Sequence, residues 1–361
     1  MAIFANKEEW TKLYVQLKLL ADQKLHAGNA QLQRLETCYP VLQVLRDEVR
    51  NAQRSRLTYT PSADLVVLSE DGVEFARIPT TQFLEQTQML FAAIQQGVGS
   101  FEIPQQAEFL ERIHCEKIKA KSDDKSDIHV VLHDHRTGMR PKLGFSINSE
   151  MGSAPTLLNA SAATVITYCV EGECSEALAE KINGIEGKNK LFARIAALYD
   201  HQLSLVSPTF ANSTFANNLR MIDSHFPQML STMLRGAYRH QVSDLVNALE
   251  RLQQQNPLHY ALSGHDFYGH KLRSFLTAIA LGMLPGSIWT GNYDATGGYI
   301  VVKADGELVC FHLYDRNLLE EYLLHNTKFE TPSLSRYHAG QLYRNAQGEW
   351  CFDLVVQIRF K

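Results

Sequence analysis

The sequence predicts a chain of the α/β class, of mixed α+β type, on three observations. Apolar residues recur at helical spacing near the N-terminus and again from residue 175 to residue 255. Short runs of strand character flank three turn signals: Glu70-Asp71-Gly72, residues 135–138, and Asp305-Gly306. A 45% hydrophobic content over 361 residues supplies a sizeable core.

Taken in order, Asn6 and Glu9 have the spacing of a capping box. Trp10, Leu13, Tyr14, Leu17 and Leu20 then define a helical face, so the first helix is expected to run to Gly28-Asn29. Residues 39–49 admit a second helix after Pro40, and residues 65–68 and 73–78 form a hairpin. Thr80 or Thr81 caps a helix carrying Phe83, Leu84, Leu90, Phe91 and Ile94, which Gly97 ends. Pro104 opens a helix over residues 105–113 bearing Glu108 and Glu111. Residues 127–134 and 143–149 alternate polar and apolar side chains and make a hairpin about residues 135–138. Residues 164–170 read as a buried strand or the start of a helix. From 175 to 255 helical periodicity is broken at Gly184, Gly187, Ser207-Pro208 and Pro227. A helix over 268–284, a hairpin over 299–303 and 307–313, a short helix over 317–324 and a strand over 354–360 complete the chain. No repeat or low-complexity linker marks a boundary, and the expected division is into residues 1–210 and 211–361, or a single domain.

Composition excludes several function classes. No apolar run approaches the roughly 20 residues that cross a bilayer. Lys7, Glu8, Glu9 and Lys12 interrupt any secretion signal, so the cytoplasm is the expected location. The six cysteines are scattered, and Cys169 and Cys174 lack the second half of a zinc site, so free thiols are expected. The phosphate-loop, dinucleotide and G-x-S-x-G signatures are absent. A net charge of −4 gives no global sign of nucleic-acid binding but leaves room for a local basic cleft.

The hairpin over 127–149 carries the chemistry. Pairing centred on Gly138 would bring Asp127 opposite Asn148 and close to Ser146, an acid beside polar groups at the open end of a strand. Such a carboxylate can hold Mg²⁺ for phosphodiester hydrolysis. Pattern alone favours an ordinary amphipathic hairpin over that site. His133 and His135 straddle Asp134 without an evident third ligand, and Asp134 on a regular strand points to the apolar face. Arg50, Arg54 and Arg56 read as a solvated loop cluster. Arg220, Arg235, Arg239 and Arg251 lie among helices, and Arg336 lies in a Ser- and Tyr-rich tail; phosphate contacts are expected of Arg220, Arg235, Arg239 and Arg336 in a DNA enzyme.

The segments KSDI, LGFSINS and GSAPTLLNASAAT resemble the core of the HpaII-type restriction endonucleases, of the PD-(D/E)XK nuclease superfamily. FANKEEWTKLYVQLKLLADQKLH resembles that family's first helix, and YDATGGYIVVKADGELVCFHLYDRN, NTKFETPSLSRYHAGQLY and LVVQIRFK its closing segments, in the same order. The resemblance implies a PD-(D/E)XK core, a mixed central sheet flanked by helices, and Mg²⁺-dependent cutting of double-stranded DNA, with CCGG as the first target. It implies Asp127 as metal ligand, Ser146 at the place of a second acid, and Glu111 or Glu150 as supplier of further negative charge. It further implies a homodimer on a palindromic site and a cognate DNA methyltransferase protecting the host.

One departure matters: Asn148 stands where the family pattern has lysine. Asparagine orients water but supplies neither charge nor base. Lys142, six residues and roughly 20 Å away along the strand, is too far to replace it. A working natural variant, a weakened protein and a deliberate substitution all fit, so the alternative function is a sequence-specific DNA-binding protein whose nuclease centre is inactivated at Asn148.

Overall fold

The computed structural model describes residues 3–50, 53–115, 118, 126–135, 137–261, 263–333 and 339–361. Internal contacts divide the chain into two interleaved units. One comprises Met1–Pro155 with Tyr293–Tyr322, the other Thr156–Asn292 with Leu323–Lys361. A single cut after residue 210 falls inside the second unit.

In the first unit, strand β1 (Phe4–Asn6) leads into helix α1 (Lys7–Asp22). The capping box forms as the spacing requires: the Asn6 side chain accepts from the Glu9 amide and the Glu9 carboxylate from the Asn6 amide, both at 2.9 Å. Trp10, Leu13, Leu17 and Leu20 are buried, each contributing roughly 1.5–3 kcal/mol by leaving water. Asn6→Ala is expected to cost about 1 kcal/mol, read as a lower urea midpoint at unchanged slope; an unmoved midpoint would exclude a stabilising cap.

The first helix ends earlier than expected. Gln23 adopts a left-handed conformation (φ 56°), and residues Lys24–Gly28 become strand β2, where Leu25 and Ala27 are buried in alternation. Residues 39–49 admit a helix by their spacing, yet Arg34–Arg50 form one long strand, β3. Its β-branched residues Val41 and Val44 are buried and paired on the sheet, so tertiary pairing overrides the helical reading. Strands β4 (Gln53–Ser62), β5 (Leu65–Glu70) and β6 (Val73–Pro79) continue as a meander around the expected Asp71-Gly72 turn. Helix α2 (Thr80–Gln96) ends at Gly97 as expected, although Pro79, not a threonine, occupies its N-cap. Strand β7 (Ser100–Glu102) pairs with β1, and a 3-10 turn at Pro104–Gln106 opens α3 (Ala107–Arg112). Strands β8 (Ile128–Leu132) and β9 (Lys142–Ser149) form the expected hairpin.

The second unit begins with β10 (Thr156–Leu158), β11 (Val165–Glu171), α4 (Glu176–Asn183) and α5 (Lys190–Asp200). The next break in helical periodicity is a strand, β12 (Ser204–Phe210), on the edge of its sheet where Pro208 costs no ladder bond. Helices α6 (Ser213–Ile222), α7 (Phe226–His240), α8 (Leu245–Gln255) and α9 (Phe267–Leu281) follow. Pro227 lies in the first turn of α7, so it opens that helix rather than breaking one.

The chain then returns to the first unit as β13 (Gly298–Val302) and β14 (Leu308–His312), before α10 (Arg316–His325). Gly298 sits at φ 105°, and a Cβ there would fall 2.1 Å from the Phe311 carbonyl oxygen, so glycine is required where β13 enters the sheet. β13 runs parallel to β9 (Tyr299 beside Ser146, Val301 beside Asn148) and antiparallel to β14. Among the described residues the strand order is β2-β14-β13-β9-β8-β3-β4-β5-β6, and pairing of β2 with β3 closes the first six into a ring. The fold class is mixed α/β, as expected.

The second unit closes with β15 (Thr327–Phe329), β16 (Leu342–Arg344), β17 (Trp350–Val355) and β18 (Ile358–Phe360), so the expected last strand is two. β11 lies between β12 and β17, and β18 between β10 and β15. All six cysteine thiols are free.

Candidate active site

Asp127 lies immediately before β8 and is fixed by the neighbouring strand. Its amide donates to the Phe145 carbonyl and its Oδ2 accepts from the Ile147 amide, each at 2.8 Å. The pairing Ile128 with Phe145 sets this register, so Asp127 meets the 145–147 stretch and not Asn148. The expected pairing of Asp127 with Asn148 is therefore displaced toward Ser146.

Its other carboxylate oxygen, Oδ1, meets the Lys12 ammonium at 2.7 Å. Lys12 reaches it from α1, and Glu8, one helical turn earlier, stands 3.5 Å from the same ammonium. Burial would lower the lysine's pKa, but Asp127 and Glu8 together outweigh it and raise the value, so Lys12 stays charged. The Lys12 and Asp127 side chains keep about a fifth of their surface open. Burial, and then the Asp127 charge, push up the pKa of the Tyr299 phenol on β13.

A cleft of about 730 Å³ lies alongside, lined by Asn6, Glu8, Lys12, Ile147 and Ser149 among others. Ile147 and Ser149 share one face of β9. Alternation sends Ser146 and Asn148 to the other face. There Asn148 is buried and donates through Nδ2 to the Tyr322 hydroxyl at 2.5 Å. Burial raises the pKa of that phenol, the hydrogen bond from Asn148 opposing it.

The other expected residues are dispersed. Glu111 is exposed on α3, whose Arg112 bonds to Gln82 of α2. Glu150 accepts from the Ala304 amide at 3.0 Å, bracing the turn after β13. Asp134 lies beyond the end of β8, is buried, and accepts from the Thr137 hydroxyl at 3.1 Å, while the His133 and His135 rings lie 4.5 Å apart. Arg54 and Arg56 both pair with Asp47. In the second unit, Arg220 bonds to Asn217 within α6 and Arg239 stacks 4.0 Å over the Tyr199 ring. Arg235 donates to the Leu205 carbonyl, a structural engagement. Arg336 lies outside the described residues.

The sequence marks Lys12 and Glu8 only as charges that interrupt a signal segment and gives them no site role, although Lys12 falls between the buried Thr11 and Leu13 of α1. A lysine half-sunk in a helix face is the signal that marks it. For a metal, Asp127 and Glu8 offer hard oxygens around one ammonium, a set that suits Mg²⁺, which takes one or two carboxylates and keeps its waters. No group of three or more His, Cys, Asp or Glu side chains that could hold a metal occurs among the described residues. Water and the DNA phosphate would complete such a site.

The family model for the HpaII restriction endonuclease matches residues 6–360. The type II restriction enzyme HpaII of Haemophilus parainfluenzae is 39% identical over 358 residues, covering 98% of each chain. No solved structure matches the chain.

Proposed function

Because the chain belongs to the HpaII restriction endonuclease family, and is thereby a site-specific deoxyribonuclease, we propose that it cuts double-stranded DNA at CCGG with Mg²⁺ held at Asp127. The observation that carries this reading is Asp127 itself, fixed by the Ile147 amide at 2.8 Å beside an open cleft. In it β8, β9 and β13 serve as the sheet of a PD-(D/E)XK-type core. Bound there, Mg²⁺ would supply Lewis acidity and an activated water. Asp127 orients that site through the Ile147 amide, Glu8 adds negative charge from α1, and Ile147 shields one wall of the cleft. Glu111 and Glu150, exposed and apart, act as surface acids in this reading. Arg220 and Arg239 remain available to phosphates. A two-fold symmetric pair of chains would cut both strands of the palindrome, in the cytoplasm and beside a methyltransferase that protects host DNA.

A neutral Asn148 does not disable this site, because Asn148 is committed to Tyr322 on the far face of β9. Plasmid DNA incubated with protein and Mg²⁺ is expected to give discrete fragments ending at CCGG, and EDTA to stop cleavage. Asn148→Lys is expected to cut no faster than the parent and to lose stability, since it buries an ammonium beside a phenol. Cleavage by Asn148→Lys alone would instead make the parent a DNA-binding protein with an inactive centre. Ends mapping to another sequence would remove CCGG but keep the nuclease.

A further inference from the structure

Resting on that nuclease reading, we propose that Lys12 of α1 is the catalytic cation of the hydrolysis, held in the free protein on the carboxylate that takes the metal. Three observations converge on it. Its ammonium lies 2.7 Å from Asp127 Oδ1 and lines the cleft. The strand beside Asp127 offers no cation there, for Asn148 is neutral and bonded to Tyr322, and Lys142 lies at the far end of β9, opposite Val131. The backbone that carries Lys12 is rigid: Trp10 and Leu13 are buried on either side, and the capping box fixes the helix start. Only the flexible four-carbon stem has to move.

The two oxygens of Asp127 have different partners. Oδ2 holds the Ile147 amide, while Asp127 would be the residue to hold a divalent cation once Lys12 leaves Oδ1. Lys12 already has Glu8 at 3.5 Å as a second partner, and its flexible stem lets the released ammonium turn into the cleft, toward a phosphoryl oxygen. As water attacks, its oxygen bonds to phosphorus and the bond from phosphorus to the leaving sugar oxygen breaks. The water's proton passes to solvent, and the leaving oxygen takes one from solvent. Lys12 donates hydrogen bonds to the charge that builds on the phosphoryl oxygens and keeps its own proton throughout. With Lys12 on Asp127, a divalent cation would bind weakly, and DNA that draws the lysine away would strengthen it, coupling the two ligands.

The competition separates this role from that of an ordinary ion pair. Full-length Lys12→Met and Lys12→Arg would be compared with the parent in three measurements: single-turnover cleavage in Mg²⁺, DNA binding in Ca²⁺, and Mn²⁺ binding without DNA by loss of the free-ion resonance. Lys12→Met is expected to lose about a hundredfold or more in cleavage, with DNA affinity within a few-fold. It is also expected to bind Mn²⁺ roughly tenfold more tightly, since a like charge has left the site. Lys12→Arg should retain part of the cleavage. Lys12→Met cutting within about threefold of the parent would overturn the catalytic role, and unchanged Mn²⁺ affinity would overturn the exchange. A parent that leaves DNA intact overturns the cleavage reading, and this proposal with it. An active parent beside an equally active Lys12→Met overturns the proposal alone.

Discussion

Asp127→Asn is expected to slow DNA cleavage by roughly a thousandfold, about 4 kcal/mol of barrier, while the protein stays folded and still binds DNA. The amide keeps an oxygen for the Ile147 N–H, so the local register survives, while its NH₂, a donor, faces the Lys12 ammonium without pairing to it. What disappears is the anionic charge, and with it a carboxylate on which the metal can be held. Asp127→Ala would confound the result, because it leaves the Ile147 amide without its acceptor. Single-turnover cleavage beside a thermal melt and a Ca²⁺-supported binding curve separates chemistry from folding. An Asp127→Asn protein that cuts within tenfold of the parent would remove Asp127 from the site.

In the second unit, Arg194→Met is expected to cost about 3–5 kcal/mol of stability. The Arg194 side chain is 1% exposed, and it donates to the carbonyls of Ile185 at 3.1 Å, Gly340 at 2.8 Å and Asn183 at 2.5 Å. Its contact with Glu186 at 3.2 Å adds less, since that carboxylate is 69% exposed. Methionine fills the volume but strands three carbonyls in a water-poor interior. Asn183 reinforces the same junction, exchanging hydrogen bonds with the Leu342 backbone at 2.8 Å in both directions. Denaturant unfolding would show the loss as a lower midpoint. A change below 1 kcal/mol would mean that water takes the guanidinium's place.

The sequence was most readable where one local signal decides the outcome. The Asn6–Glu9 box, the Asp71-Gly72 turn, Gly97 after α2 and the two strands around Gly138 need only neighbours to specify them. It was least readable where distant strands recruit a segment. Residues 39–49 carry spacing that fits a helix, but partners on both edges turn them into β3. The 204–210 stretch becomes a strand only because β11 is beside it. The candidate site shows the same division. Strand alternation marked Asp127 as a polar residue at a strand end and the family resemblance implied its role, while the register that places it by Ile147 and the helix that brings Lys12 to it are long-range facts. Asn148 stood out as an anomaly in sequence; its bond to Tyr322, 174 positions later, gives it a structural occupation. Arg235 was equally misleading in one dimension, because a cation spent on the Leu205 carbonyl looks no different from one kept for phosphate.

The ring of six strands also sets a timetable for synthesis. β9 cannot complete its ladder until β13 is made, and β14, which bridges β13 to β2, comes later still. Residues 1–155 contain four of the ring's strands, and until β13 follows them β9 presents an open edge. That edge carries Phe145 and Ile147 and is a template for wrong pairing. The intervening 137 residues, Thr156–Asn292, must emerge before the edge is covered. Cotranslational folding of this unit is therefore held back by its own topology, since closing so long a loop precedes its central pairing. The elements that hold Asp127 are thus made early, but the ring they belong to closes only once β14 (Leu308–His312) has been made.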